Sequence, residues 1–107
     1  MRWYRHLYVG EQAKKRRFAI LQSIRREKVR PGVHVIVPAA GPSNLLDILS
    51  AAELFHNRFL KREELLILGV GASYEEALEV AARIVSDLYR QTGGFDLNEF
   101  LKKNGQR

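Results

Sequence analysis

Residues 64–71, Glu-Leu-Leu-Ile-Leu-Gly-Val-Gly, form an apolar run without alternation, bounded by charge before it and glycine after it. Such a run predicts a β-strand covered on both faces. Ser73 and Glu76 follow at the Ser-x-x-Glu spacing of a capping box, which predicts a helix from about Tyr74 to Gln91. Ala77, Ala81, Ile84, Val85 and Leu88 recur at helical spacing as its core stripe, widened by Tyr74, Leu78 and Tyr89. Glu75, Glu76, Glu79, Arg83, Asp87 and Arg90 make the wet side, and Gly93-Gly94 supplies a left-handed stop.

The same strand-then-helix pattern reads twice more upstream. Val33–Pro38 is rich in β-branched residues and predicts a strand, stopped by Pro38 and a loop over Ala39–Ser43. A helix is expected over Asn44–Asn57, burying Leu45, Ile48, Leu49, Ala52 and Phe55. Trp3–Val9 reads as a strand, and Gln12–Lys28 as a helix ending before Pro31-Gly32. The order β-α-β-α-β-α predicts a three-stranded parallel sheet with right-handed crossovers, in a two- or three-layer α/β sandwich. A short C-terminal helix is expected near Asp96–Lys103, packing Leu97, Phe100 and Leu101. The first strand mixes Arg2, Tyr4, His6 and Tyr8 on one side, which suits a sheet edge, and a narrow sheet with two open edges predicts a homodimer.

With 107 residues, 46% apolar and 28% charged, the chain fits a single globular α/β domain spanning 1–107. Its longest apolar run, Leu65–Ala72, is far shorter than the roughly 20 residues of a membrane span. Residues 1–9 lack the continuous apolar centre of a signal peptide, so a cytoplasmic location is expected. The absence of cysteine removes disulfides, thiolate nucleophiles and thiolate metal sites.

Charge changes the picture. The first thirty residues hold ten Lys or Arg against Glu11 and Glu27, a net of +8, whereas the remaining 77 residues carry a net of −2. Such asymmetry points to an anionic partner. Arg25, Arg26, Lys28 and Arg30 fall at the end of the first helix, where cations complement the dipole. Lys14, Lys15, Arg16 and Arg17 fall in its first turns, where cations oppose it, and are the candidate contacts to nucleic acid or another anion. The charge wraps around the helix: Arg17 falls within the apolar arc of Ala13, Ile20 and Ile24, while Lys15 lies opposite. Glu11 can pair with Lys15, and in a parallel sheet Glu75, Glu76 and Glu79 can face the cluster.

Gly69-x-Gly71 resembles the start of a dinucleotide fingerprint, but Tyr74 stands at the third glycine position and no P-loop is present. In a parallel sheet the loops at Gly10-Glu11, Ala39–Asn44 and Gly69–Ser73 emerge at one end, where Glu11, Gly41, Ser43, Asn44, Gly71 and Ser73 would form a small-anion pocket. The simpler reading makes Ser43 or Asn44 and Ser73 helix caps. His6, His34 and His56 lack ligand spacing, and no serine sits in a nucleophile elbow, so neither metal, cofactor nor catalytic residue is assigned. A self-associating, non-enzymatic interaction module is the first reading. Nucleic-acid binding through the basic helix comes second, a strand-end anion or small-molecule pocket third and an enzyme fourth.

Overall fold

The unalternating apolar run becomes one of the sheet's two inner strands and contributes to the core on each face. The computed structural model describes residues 1–106. The four strands are β1 (Arg2–Val9), β2 (His34–Pro38), β3 (Leu46–Ser50) and β4 (Leu66–Gly71). The five α-helices are α1 (Glu11–Lys14), α2 (Arg17–Arg25), α3 (Ala51–His56), α4 (Tyr74–Thr92) and α5 (Leu97–Lys103), and a 3-10 turn at Arg62–Glu64 leads into β4. The strands form one sheet in the order β1-β4-β2-β3, and every residue of β4 is buried.

The expected three-stranded parallel sheet is corrected to a mixed four-stranded one. β1 and β4 are parallel, but β2 runs antiparallel to both β4 and β3. The difference lies in residues 44–57, expected to be one helix. Leu46–Ser50 is instead a strand joined to β2 by a hairpin, with the Ala39 N–H donating to the Leu45 carbonyl at 3.1 Å. Helix α3 starts only after Ser50. The Ser50 hydroxyl accepts from the Glu53 N–H at 3.1 Å, and the Glu53 carboxylate accepts from the Ser50 N–H at 3.0 Å, a complete capping box. An antiparallel neighbour needs only a hairpin, so no helical crossover separates β2 from β3.

The expected helix over 12–28 is likewise two helices. Arg16 leaves helical geometry at φ −130°, ψ 32°. An unbroken helix would carry Arg17 into the arc of Ala13, Ile20 and Ile24; with the break those three are buried and Arg17 is exposed. The other expected elements match. Gly93 adopts φ 73° at the end of α4, the short C-terminal helix forms, and β1 is an edge strand.

Three layers result. On one face of the sheet Ala13, Ile20, Ile24, Ala51 and Leu54 from α1, α2 and α3 pack on Val35, Val37, Ile67 and Val70. On the other, Ala77, Val80, Ile84, Leu88 and Phe100 from α4 and α5 pack on Tyr4, Ile36, Leu66 and Leu68. Among the described residues no helix is long and apolar enough to cross a membrane.

Candidate functional site

β1 and β4 are parallel neighbours, so α1 and α4 both begin at the same end of the sheet. There one carboxylate ties them together. Glu76, in the first turn of α4 and 6% exposed, accepts from the Gln12 N–H at 2.5 Å and the Ala13 N–H at 3.0 Å, the donors at the start of α1. It also accepts from the Ala72 N–H at 2.8 Å. Burial pushes the pKa of this carboxyl up, but the Ala72, Gln12 and Ala13 N–H groups and the charge of Lys15 outweigh it and hold the group below the ordinary glutamate range. The expected capping box at Ser73 is therefore half formed. The Ser73 hydroxyl accepts from the Glu76 N–H at 3.1 Å, but the Glu76 side chain turns away to α1 instead of closing back on Ser73. The helix start that would receive an anion in a nucleotide-binding fold is filled by the protein's own carboxylate.

This local chemistry redistributes the four cations. Lys14 pairs with Glu11 at 3.2 Å and lies in the last turn of α1, where a cation complements the dipole. Lys15 donates to Gln12 Oε1 at 3.3 Å. Arg16 and Arg17 stand at the start of α2, which has neither a side-chain cap nor an acidic residue in its first turn. Among the described residues neither arginine has an ion-pair partner. Glu76 thus supplies the facing negative charge expected from α4, to the α1 end of the cluster.

The strand-end loops do not converge. Gly71 and Ser73 lie beside Gly10 and Glu11, but β2 runs the other way, so Gly41, Ser43 and Asn44 lie at the opposite end of the sheet. Ser43 and Asn44 precede β3 and cap no helix. Gly71 has no side-chain space to offer, because a Cβ there would lie 2.7 Å from the Ala77 backbone nitrogen.

On its two flanks α4 meets different surroundings. Toward β1, the Tyr8 hydroxyl donates to Asp87 Oδ2 at 2.5 Å, and the Arg83 guanidinium lies over the Tyr8 ring. Toward β2, Tyr74 meets the His34 ring edge-on, and beyond it an apolar stripe faces out. Tyr74, Leu78 and Tyr89 are 50%, 46% and 56% exposed, so the residues expected to widen the buried stripe instead form a second one. Ala82 is exposed, and Ala81 and Val85 are half-buried between them. The sheet beside this flank adds half-buried Leu46 and Ile48 from β3, whose side chains lie on the α4 side.

Arg30 is not among the candidate contacts read from the sequence, because a helix C-terminus accounts for its charge there. It lines a concavity with Lys15 and Arg16, and the Pro31-Gly32 turn beside it was the available signal. Among the described residues no group of His, Asp or Glu side chains is arranged to hold a metal ion. No protein-family model, curated protein or solved structure matches the chain.

Proposed function

We propose that this chain is a non-enzymatic interaction module that works as a homodimer, paired through the exposed flank of α4. One observation carries the reading: the exposed apolar stripe is close to palindromic. Tyr74, Leu78, Ala81, Ala82, Val85 and Tyr89 are symmetric about the midpoint between Ala81 and Ala82. A two-fold axis at that midpoint sets two α4 helices antiparallel, with Tyr74 against Tyr89, Leu78 against Val85 and Ala81 against Ala82 of the second copy. A two-fold contact requires such self-complementarity, since the same patch serves both partners. Small residues at the crossing let the helices approach closely, and the tyrosines supply large amphipathic area at each end. Phe95, 62% exposed with its ring 5.6 Å from that of Tyr89, extends the surface. An exposed apolar face of this kind on a small domain marks an interaction site.

Sedimentation equilibrium tests the proposal. The chain is expected to sediment as a dimer, and Leu78→Glu, which buries a charge about one turn from the two-fold axis, as a folded monomer. A monomeric wild-type chain at high concentration, or a dimer indifferent to Leu78→Glu, would overturn it.

A further inference from the structure

A cavity of about 320 Å³ lies where α1 turns into α2, beside the end of β4 and the start of β2. Lys15 and Arg16 reach it from the α1–α2 turn, and Arg30 from the segment before β2. Exposed Pro31 and half-buried Ala72 contribute the accessible apolar surface, with Ile20 and Val33 buried behind them, and no carboxylate lines it. We infer that this cavity is a binding site for a small phosphorylated ligand, with Lys15, Arg16 and Arg30 holding the phosphate and the apolar wall receiving the remainder.

Three observations support the assignment. First, the charge is uncommitted. Arg25 lies over Trp3, Arg62 pairs with Glu27, Arg90 with Asp87 and Lys14 with Glu11, whereas Arg16 and Arg30 have no ion-pair partner among the described residues. Glu76 offsets part of the Lys15 charge, but its oxygens already accept from three backbone donors.

Second, the cations are carried by ordered backbone. Arg30-Pro31-Gly32-Val33 closes as a turn, with the Val33 N–H donating to the Arg30 carbonyl at 3.2 Å and Gly32 at φ 86°. Proline followed by a positive-φ glycine fits a type II turn, whose backbone is largely preset. This turn also seats tightly on the end of β4, because a Cβ on Gly32 would lie 2.7 Å from the Ala72 carbonyl oxygen. On the other wall, Glu76 fixes the start of α1 and Ile20 anchors α2 in the core, so the turn holding Lys15 and Arg16 is held at both ends.

Third, the chemistry and size agree. Two guanidinium groups can each grip a phosphate through paired N–H donors, while the lysine adds a point charge. The volume falls at the lower end of small-molecule sites, which run from about 300 Å³ upward. Among the four adjacent cations of the sequence, the geometry separates Lys15 and Arg16, which face the cavity, from Lys14, spent on Glu11, and from Arg17, which does not line it.

Isothermal titration at low ionic strength tests the site with three probes: inorganic pyrophosphate, adenosine diphosphate and a short single-stranded oligothymidylate. The variants are Arg16→Ala with Arg30→Ala, and as a control Lys14→Ala with Arg17→Ala, which removes the same formal charge. Circular dichroism checks that both remain folded. Pyrophosphate and adenosine diphosphate are expected to bind at one per chain, weakened about tenfold or more in the first variant and little in the second. Absence of binding by every probe overturns the inference, as does an equal loss in both variants, which would mark diffuse polyanion attraction. Binding of the oligothymidylate alone, lost in the first variant, overturns the small-ligand assignment in favour of nucleic acid.

Discussion

Glu76 and Gly10 occupy one space: the carboxyl end of Glu76 fills the position a Cβ at residue 10 would need. Gly10 is extended, at φ −66° and ψ 159°, so its backbone would accept another residue and the constraint is purely one of contact. Gly10→Ala is therefore expected to cost about 1–3 kcal/mol, the range for overpacking. Glu76→Ala is expected to cost about 3 kcal/mol or more by leaving donors at Gln12, Ala13 and Ala72 without their acceptor. The two effects should not add. With Glu76 truncated, alanine at 10 has room, so the second substitution should cost less than it does alone. Urea denaturation of the four proteins in a double-mutant cycle measures this, and additive costs would show that the two residues do not compete for space.

Stability should fall at both ends of the pH range, for different reasons. The folded-state pKa of Glu76 lies below the ordinary 4.5, so its contribution is complete above that value and is lost as pH falls through the folded value. Glu76→Gln should flatten this acid limb while lowering stability at neutral pH. On the alkaline side, burial and then the hydrogen bond to Asp87 raise Tyr8 well above the ordinary 10.0, against the opposing charge of Arg83. Tyr4 is raised too, by burial and then Asp87. Their neutral forms are favoured by the fold, so that stability is complete below about pH 10 and is lost as pH rises above it. Urea midpoints across pH, for the wild-type chain and for Glu76→Gln and Tyr8→Phe, separate the two limbs.

The legible parts of the sequence were those where one local signal had one reading. The unalternating run at 64–71 and the strongly periodic α4 with Gly93 behind it appear close to their expected bounds. Residues 44–57, expected as one helix, have a pattern that two kinds of element satisfy. Leu45, Ile48, Leu49, Ala52 and Phe55 fit a helix, but Leu46–Ser50 also fits a short edge strand, and pairing with β2 decided the matter. Topology went with it: once β2 and β3 form a hairpin, the chain no longer alternates strand and helix. Ser50-Ala-Ala-Glu53 is the local signal of the boundary, since a capping box marks a helix beginning and leaves residues 46–49 outside the helix.

The candidate sites were less legible because they depend on which side of an element meets a neighbour. Periodicity places Tyr74, Leu78 and Tyr89 next to the buried stripe of α4 without showing that the layer ends there. Likewise Ser73 and Glu76 had the spacing of a local cap, and only the parallel placement of β1 beside β4 brings Gln12 and Ala13 within reach of the carboxylate.

The reading of Ser50 as a true capping residue gives a direct test. Ser50→Ala removes the acceptor for the Glu53 N–H and should cost about 1 kcal/mol, measured by thermal or urea denaturation. Asn44→Ala, in the exposed loop where a helix start had been expected, should change stability little, because Asn44 caps no helix. An equal loss at both positions would contradict the placement of the helix start at Ser50.

The palindromic arrangement of α4 makes a prediction that an ordinary sticky surface does not. Under the proposed two-fold, Tyr74 of each copy meets Tyr89 of the other, so Tyr74→Ala and Tyr89→Ala remove the same pair of contacts from opposite sides. Each should weaken dimerisation to a similar degree, and the double variant should be weaker by clearly less than the sum, since the second truncation finds its partner already gone. Leu78→Ala and Val85→Ala should be coupled in the same way. Tyr74 and Val85, which do not face each other across the axis, should instead be nearly additive. Dimer dissociation constants from sedimentation for these single and double variants decide the question. A parallel or face-to-edge association would make all the pairs additive, and the antiparallel pairing of α4 would then be wrong even if the chain were a dimer.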